Sequence, residues 1–98
     1  MQKYQMYIGG DWVDPSGGEW FESHNPFTGK PWALIPKGGA ADVDRAVGAA
    51  SEAFTSGEWP KKTATQRGHL LRKLGDLVAE KAQALADTEV RDNGKLMA

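Results

Sequence analysis

The feature that most limits the possible folds is a long apolar stripe in the second half of the chain. Between residues 63 and 92, leucine, valine and alanine recur every three or four positions, which is the spacing of one face of an α-helix. A single helix over this stretch would be about 45 Å long, whereas a compact chain of this size has a radius of gyration of about 13 Å. The stretch must therefore break, which we expect near residues 79–81, or lie along a larger body.

Local signals mark where the helices begin and end. Thr63 and Gln66 have the spacing of a capping box, in which each side chain satisfies a backbone N–H group of the other residue. Gly94 after Asn93 is a stop signal, because glycine readily adopts the left-handed conformation that ends many helices. An earlier helix is predicted over residues 41–55, where apolar residues again share one face.

The first 39 residues have a different composition. They hold four of the five prolines, seven of the twelve glycines and seven of the nine aromatic residues, which is typical of strands and turns. Residues 6–8 and 12–13 flank a Gly-Gly pair and predict a hairpin. Further strands are predicted over residues 20–24 and 31–36. A proline at each end of the second of these predicts that it lies at a sheet edge.

Together these patterns predict an α/β fold. A short N-terminal β-hairpin and further strands occupy residues 1–39, and two to three α-helices occupy residues 40–98. The helices carry more apolar surface than such short strands can cover. We therefore expect a partner surface, which is either another part of a longer chain or a second copy reached by self-association.

Composition excludes several classes of function. The chain has no cysteine, which rules out disulfides, thiolate nucleophiles and cysteine-bound metals. The net charge is −1 without a long block of one sign, so no nucleic-acid partner is expected. No apolar run reaches the ~20 residues of a membrane span, and no signal peptide is visible. We expect a cytoplasmic protein without a membrane partner.

No motif in the sequence marks a catalytic centre. Gly38-Gly39 before a helix could cradle a phosphate, but the glycine-rich fingerprints of nucleotide-binding loops are absent, which favours a plain strand-to-helix connection. The two histidines, His24 and His69, lie in different halves, which favours surface or packing roles over a histidine metal site. We therefore predict no catalytic residue and no cofactor-binding residue in this chain.

Several short motifs are informative as an ordered set. They are Tyr7-Ile8-Gly9-Gly10-Asp11-Trp12-Val13, Asn25-Pro26-Phe27-Thr28-Gly29-Lys30, Asp42-Val43-Asp44-Arg45-Ala46-Val47, Gln66-Arg67 with Leu70-Leu71, and Asp92-Asn93-Gly94-Lys95. In this order and spacing they resemble the N-terminal segment of the aldehyde dehydrogenase superfamily. The resemblance covers residues 6–98, almost the whole chain.

The resemblance implies the fold and the function of a larger enzyme. Family members oxidise aldehydes to carboxylic acids with NAD or NADP, through a cysteine nucleophile and a glutamate base. Residues 1–98 would form the N-terminal part of the Rossmann-type cofactor domain, and the catalytic and cofactor-binding residues would lie downstream. We therefore expect a segment that is inactive alone and whose partner is the remainder of the enzyme chain.

The resemblance also implies one metal site. Many family members bind a monovalent cation, potassium or sodium, between the backbone carbonyl before the Asn-Pro turn and the aspartate of the Asp-x-Gly-Lys motif. By motif match these ligands are the His24 carbonyl oxygen and the Asp92 carboxylate. Arg91 departs from the family pattern, in which an apolar residue precedes the aspartate, and it predicts altered packing beside the site.

A different class of function remains open. The chain could be a small helical interaction module, which self-associates or binds a protein partner through an exposed leucine face. That face consists of Leu70, Leu74, Leu77 and Leu85. The two hypotheses differ in what covers these leucines, which is the remainder of an enzyme in the first and a second copy or another protein in the second.

Overall fold

Five short strands precede three helices in the structure, a computed structural model that describes residues 1–97. The strands are β1 (Gln2–Lys3), β2 (Met6–Ile8), β3 (Asp11–Val13), β4 (Trp20–His24) and β5 (Pro31–Pro36). The helices are α1 (Ala40–Ser56), α2 (Ala64–Glu80) and α3 (Ala82–Asn93), with a turn of 3₁₀-helix at Trp59–Lys61. The predicted α/β fold, with strands first and helices after, is confirmed.

β2 and β3 form the predicted hairpin. They pair antiparallel, with Met6 opposite Val13, and the Gly9-Gly10 pair makes the turn. Both glycines have positive φ angles, 60° and 88°. Two-residue turns with positive φ angles match the twist of the flanking strands, and glycine adopts them without steric cost. The hairpin is therefore encoded by its turn as much as by its strands.

The strand predicted at a sheet edge, Pro31–Pro36, is the middle strand of a three-stranded sheet. β5 pairs in parallel with β1 on one side and antiparallel with β4 on the other. The edge prediction was wrong because the two prolines occupy the first and last positions of the strand, so the interior keeps its N–H donors. β1 itself was not predicted, because two residues are too few to show an alternating pattern.

The long apolar stretch breaks where the sequence predicted. α2 ends at Glu80, and Lys81 has φ −102° and ψ 16°, which leaves the helical region before α3 begins. α3 ends at Gly94, whose φ of 76° is left-handed. The Gly94 N–H donates to the Val90 carbonyl at 2.8 Å. This closure satisfies a carbonyl that the helix end would otherwise leave unpaired, as the predicted stop signal requires.

Thr63 and Gln66 form the predicted capping box. The Gln66 N–H donates to Thr63 Oγ1 at 3.2 Å, and the Thr63 N–H donates to Gln66 Oε1 at 2.9 Å. We expect Thr63→Ala to destabilise the start of α2 by about 1 kcal/mol, because the Gln66 N–H loses its acceptor. Hydrogen exchange of the first-turn amides measures this loss. Thr63→Ser keeps the hydroxyl and should exchange like the wild type, and equal exchange in the two variants would contradict the cap.

The elements spread into a flat body. Its extents are 48 × 37 × 15 Å and its radius of gyration is 17.0 Å, whereas a compact chain of this length has a radius of about 13 Å. The accessible surface is 7690 Å², whereas a compact protein of the same mass exposes about 5,500 Å². The chain therefore exposes roughly 2,000 Å² more surface than a compact protein of its size.

Much of the exposed surface is apolar. Phe54 on α1 is 77% exposed, and Leu71 and Leu74 on α2 are 58% and 56% exposed. The four residues of the predicted leucine face are all exposed as well. Burial of apolar surface is the main force in folding, so these helix faces need a cover. In residues 1–97, no helix combines the length and the apolarity needed to cross a bilayer.

Candidate functional site

The two predicted cation ligands lie on different elements that meet in the fold. His24 is the last residue of β4 and Asp92 lies in the last turn of α3, and both residues are exposed. The Ser23 hydroxyl donates a hydrogen bond to Asp92 Oδ1. Because Ser23 directly precedes His24, this bond brings the strand end and the Asp92 carboxylate together across 69 positions of sequence.

A close approach of Gly94 to Pro26 forms a second contact between the same elements. A Cβ atom on Gly94 would lie 2.8 Å from Pro26 Cγ, which is closer than side-chain atoms pack. Glycine therefore has two functions at this position. It ends α3, and it lets the helix end reach the turn that follows His24.

The turn after His24 is closed by its own hydrogen bonds. The Asn25 N–H donates to the Lys30 carbonyl at 2.8 Å, and the Gly29 N–H donates to the Asn25 carbonyl at 2.7 Å. The Phe27 N–H donates to Asn25 Oδ1 at 2.9 Å, which is the side-chain turn that asparagine favours. These bonds set the direction in which the chain leaves β4, and so the placement of the His24 carbonyl.

The pairing of β4 with β5 does not use the His24 carbonyl. The register of β4 and β5 shifts between Ser23 and His24, and His24 lies opposite Pro31. The Asn25 N–H donates to the Lys30 carbonyl, so His24 and Pro31 form a pair without hydrogen bonds of its own, in which the His24 carbonyl points away from β5. The carbonyl oxygen is therefore a candidate ligand.

The positive side chains next to Asp92 in sequence have other partners. The Arg91 guanidinium lies over the Trp32 ring, 5.1 Å from its centroid, which is a cation–π contact. Lys95 Nζ is paired with Glu89 Oε1 at 3.7 Å. Within the described residues, neither Arg91 nor Lys95 forms an ion pair with Asp92. Its negative charge is thus left for another cation.

The available oxygen ligands suit a hard monovalent cation. In the part of the chain that the structure describes, no three or more His, Cys, Asp or Glu side chains are grouped to hold a metal. A carbonyl and a carboxylate are hard oxygen ligands, and one carboxylate balances a single positive charge. Two oxygens are too few for tight binding, so further ligands would have to come from outside residues 1–97.

Asp92 also borders a groove of about 400 Å³ between the sheet and α3. Apolar and aromatic side chains make most of its walls. The lining residues are Tyr4, Trp32, Ile35, Leu85, Thr88, Glu89, Asp92 and Asn93. The groove is open to solvent, so it adds to the exposed apolar surface of the helices.

Asp42 forms a buried clasp at the start of α1. It is 2% exposed, and its carboxylate accepts from the Ser16 N–H at 3.1 Å, the Ser16 hydroxyl at 3.1 Å and the Gly39 N–H at 3.0 Å. The hydrogen bond from Gly39, together with those from Ser16 and against the effect of burial, lowers the pKa of Asp42 below its ordinary value. The clasp ties the turn before β4 to the first turn of α1.

The clasp also decides the role of Gly38-Gly39. The Asp42 carboxylate already occupies the Gly39 N–H at the start of α1. A phosphate there would meet a negative charge at short range and would be repelled. The two glycines therefore connect β5 to α1, as the plain interpretation predicted, and they do not fit the phosphates of a dinucleotide.

Comparison with known sequences identifies the family. The model of the aldehyde dehydrogenase family matches residues 12–98. Acetaldehyde dehydrogenase 2 of Cupriavidus necator is 44% identical over 94 residues, which are 96% of this chain and 18% of that protein. A (Z)-2-((N-methylformamido)methylene)-5-hydroxybutyrolactone dehydrogenase of Acinetobacter baylyi is 46% identical over 97 residues, which are 99% of this chain and 20% of that protein. The chain spans about a fifth of the length of these relatives.

Solved structures share the fold. An NAD-dependent aldehyde dehydrogenase from Sinorhizobium meliloti superposes with a TM-score of 0.91 at 33% identity, covering 97% of this chain and 19% of that one. An aldehyde dehydrogenase from Bacillus cereus, solved in complex with NAD⁺, gives a TM-score of 0.89 at 40% identity over 94% of this chain and 19% of that one. By the family match over residues 12–98 and by these likenesses, the chain belongs to the aldehyde dehydrogenase family.

Proposed function

We propose that this chain is the N-terminal part of an NAD(P)-dependent aldehyde dehydrogenase, which in its complete form oxidises an aldehyde to a carboxylic acid. The observation that carries the proposal is the likeness, over 97% of the chain, to the NAD-dependent enzyme from Sinorhizobium meliloti. The two relatives named above are also dehydrogenases. The cytoplasm is the proposed location, because a chain without cysteine needs no oxidising compartment.

Residues 1–98 are proposed to build the N-terminal part of the cofactor-binding domain and to contribute no catalytic group. NAD(P)⁺ supplies the hydride acceptor when it is bound in the complete enzyme. The start of α1 does not fit its phosphates, since Asp42 fills that position. The proposed role of these residues is therefore to support the domain, and the strands and helices do so through their exposed apolar faces.

The proposed cover for these faces is the remainder of the same polypeptide. An ordinary interface between two proteins buries about 800 Å² on each partner, and the excess surface of this chain is roughly 2,000 Å². Phe54 of α1 is 77% exposed and does not belong to the leucine face on α2 and α3, so self-association through that face does not by itself account for it. The comparisons with known proteins give the interaction module no support, whereas an enclosing enzyme accounts for both surfaces.

An activity assay on the complete polypeptide tests the proposal. The reading frame that contains the codons for residues 1–98 is expressed in full, and acetaldehyde is supplied with NAD⁺ or NADP⁺. We expect aldehyde-dependent formation of the reduced cofactor and of acetate, with no turnover by residues 1–98 alone. Turnover by the 98-residue chain, or inactivity of the full polypeptide towards a panel of aliphatic and aromatic aldehydes, would contradict the proposal.

We further propose that the His24 carbonyl and the Asp92 carboxylate take part in binding potassium or sodium in the complete enzyme. Three observations support this proposal. The strand end and the helix end meet through Ser23, the His24 carbonyl is not used in the pairing with β5, and the charge of Asp92 is not neutralised by Arg91. The remaining ligands would come from the rest of the enzyme.

Asp92→Asn is expected to weaken potassium binding by at least about tenfold, because the amide carries no charge to attract the cation. The measurement is the potassium concentration that gives half of the maximal rise in melting temperature of the complete enzyme, with choline chloride holding ionic strength constant. Asp76→Asn, at an exposed position of α2, is the matched control and should behave like the wild type. An unchanged potassium response in Asp92→Asn would remove Asp92 from the site.

A further inference from the structure

Ser23 joins the sheet to α3, although the proposed cation ligands do not include its side chain. Its hydroxyl donates to Asp92 Oδ1, and no other hydrogen bond links the sheet to α3 within residues 1–97. The residue is half-buried at the end of β4. The Ser23 hydroxyl therefore holds the carboxylate of a residue 69 positions away in the sequence.

The position of Asp92 explains why its carboxylate needs a donor from outside its own helix. Asp92 lies in the last turn of α3, where the unpaired carbonyls make the helix end negative. The helix therefore disfavours a carboxylate there and offers it no free N–H group. The same negative helix end attracts a cation. The unpaired carbonyls and the Asp92 carboxylate would therefore both attract potassium or sodium.

The hydrogen bond from Ser23 uses only one of the two oxygens of the Asp92 carboxylate. Ser23 donates to Oδ1, and Oδ2 has no hydrogen-bond partner within the described residues. Ser23 and His24 are neighbours on one strand, with Cα atoms about 3.8 Å apart, so the hydrogen bond from Ser23 holds the carboxylate near the strand end that carries the His24 carbonyl. The close contact of Gly94 with Pro26 holds the helix end in the same place.

We propose that Ser23 is a positioning residue for the cation site, whose hydroxyl holds the Asp92 carboxylate beside the His24 carbonyl and leaves Oδ2 to bind potassium or sodium. The inference rests on the proposed cation site. Partners that orient a metal ligand affect affinity because they hold the ligand in its binding geometry before the ion arrives. Ser23 thus acts on the cation through Asp92, by its hydroxyl and not by its size.

The test measures potassium binding to the complete enzyme with Ser23 changed. The variants are Ser23→Ala, which removes the hydroxyl, and Ser23→Thr, which keeps it on a side chain that strands accept. Ser56→Ala is the matched control, because it removes a hydroxyl that bonds to the Glu52 carbonyl within α1. The readout is the half-maximal potassium concentration in thermal unfolding, with choline chloride as the inert salt.

We expect Ser23→Ala to bind potassium about tenfold more weakly, which corresponds to about 1.4 kcal/mol, while Ser23→Thr and Ser56→Ala stay within about twofold of the wild type. A purely structural role would lower the melting temperature equally with and without potassium and would leave the half-maximal concentration unchanged. That result would overturn the role of Ser23 while sparing the cation site. A wild type that does not respond to potassium or to sodium would overturn both.

Discussion

Gly94→Ala is expected to destabilise the end of α3 by about 2–5 kcal/mol. A left-handed backbone costs a residue with a side chain about 1–2 kcal/mol, and Gly94 has a φ of 76°. The new Cβ atom would also lie 2.8 Å from Pro26 Cγ, and overpacking of this kind costs about 1–3 kcal/mol. Hydrogen exchange of the amides in the last turn should be faster by about 30-fold or more in the complete enzyme.

Two variants separate the contributions of backbone strain and of the clash with Pro26 to the loss of stability in Gly94→Ala. Gly29→Ala has the same backbone strain, with a φ of 71°, but no heavy atom within 4 Å of the new Cβ. It should therefore cost only the strain of about 1–2 kcal/mol. Asparagine adopts the left-handed conformation more readily than alanine. In Gly94→Asn, however, the new Cβ atom would still lie 2.8 Å from Pro26 Cγ. If Gly94→Asn exchanges like the wild type, the close approach of the helix end to the turn contributes nothing.

Asp42→Ala is expected to release the turn before β4 from the start of α1. The substitution removes the acceptor of the Ser16 N–H, the Ser16 hydroxyl and the Gly39 N–H together, and leaves these donors without their partner. Exchange of the Ser16 and Gly39 amides should be faster by at least about tenfold. Asp44→Ala removes another acidic residue from the first two turns of α1 without touching the clasp, and it should leave both amides unchanged.

The clasp should also make this region sensitive to acid. The hydrogen bond from Gly39 lowers the pKa of Asp42 below 3.8 in the folded state, so the ionised carboxylate favours the fold. Its stabilising contribution is present above pH 3.8 and is lost as the pH falls through the lowered pKa. Asp42→Asn should remove this dependence. Equal acid sensitivity of the wild type and Asp42→Asn would assign the effect to another group.

Local features of the fold were predictable because their causes lie within a few residues. The Gly9-Gly10 turn, the capping box at Thr63 and the stop at Gly94 each depend on the conformational preference or hydrogen bonding of one or two side chains. The break at Lys81 is one of the two alternatives that the length of the apolar stretch left open. These features can be predicted without tertiary contacts, and the structure confirms them.

The long-range features were not predictable in the same way. β1 pairs with β5 across some thirty positions through two residues, which leave no periodic signal. The pairing of Ser16 with Asp42 joins a turn to a helix across 26 positions, and no spacing rule connects them. Such contacts form between residues that only the tertiary fold brings close together. They cannot be predicted from the hydrophobic pattern of the sequence.

In the candidate site, too, residues that belong to short motifs were predictable, and a residue known only through a tertiary contact was not. His24 and Asp92 were predicted from their motifs through the family resemblance, and the structure brings their elements together through Ser23. That they bind a cation stays a prediction. Ser23 was missed, because a single serine in a strand has no signature that distinguishes it from an ordinary surface residue. Only the hydrogen bond to Asp92 gives it a role.

The most direct test of the proposed cover is a crystal structure of the complete polypeptide, in which the exposure of Leu71 and Leu74 is measured. These side chains are 58% and 56% exposed in residues 1–97. We predict that both become buried against later residues of the same polypeptide, together with Phe54 of α1. Leucines that stay open to solvent, or that are sealed by a second copy of residues 1–97, would contradict it.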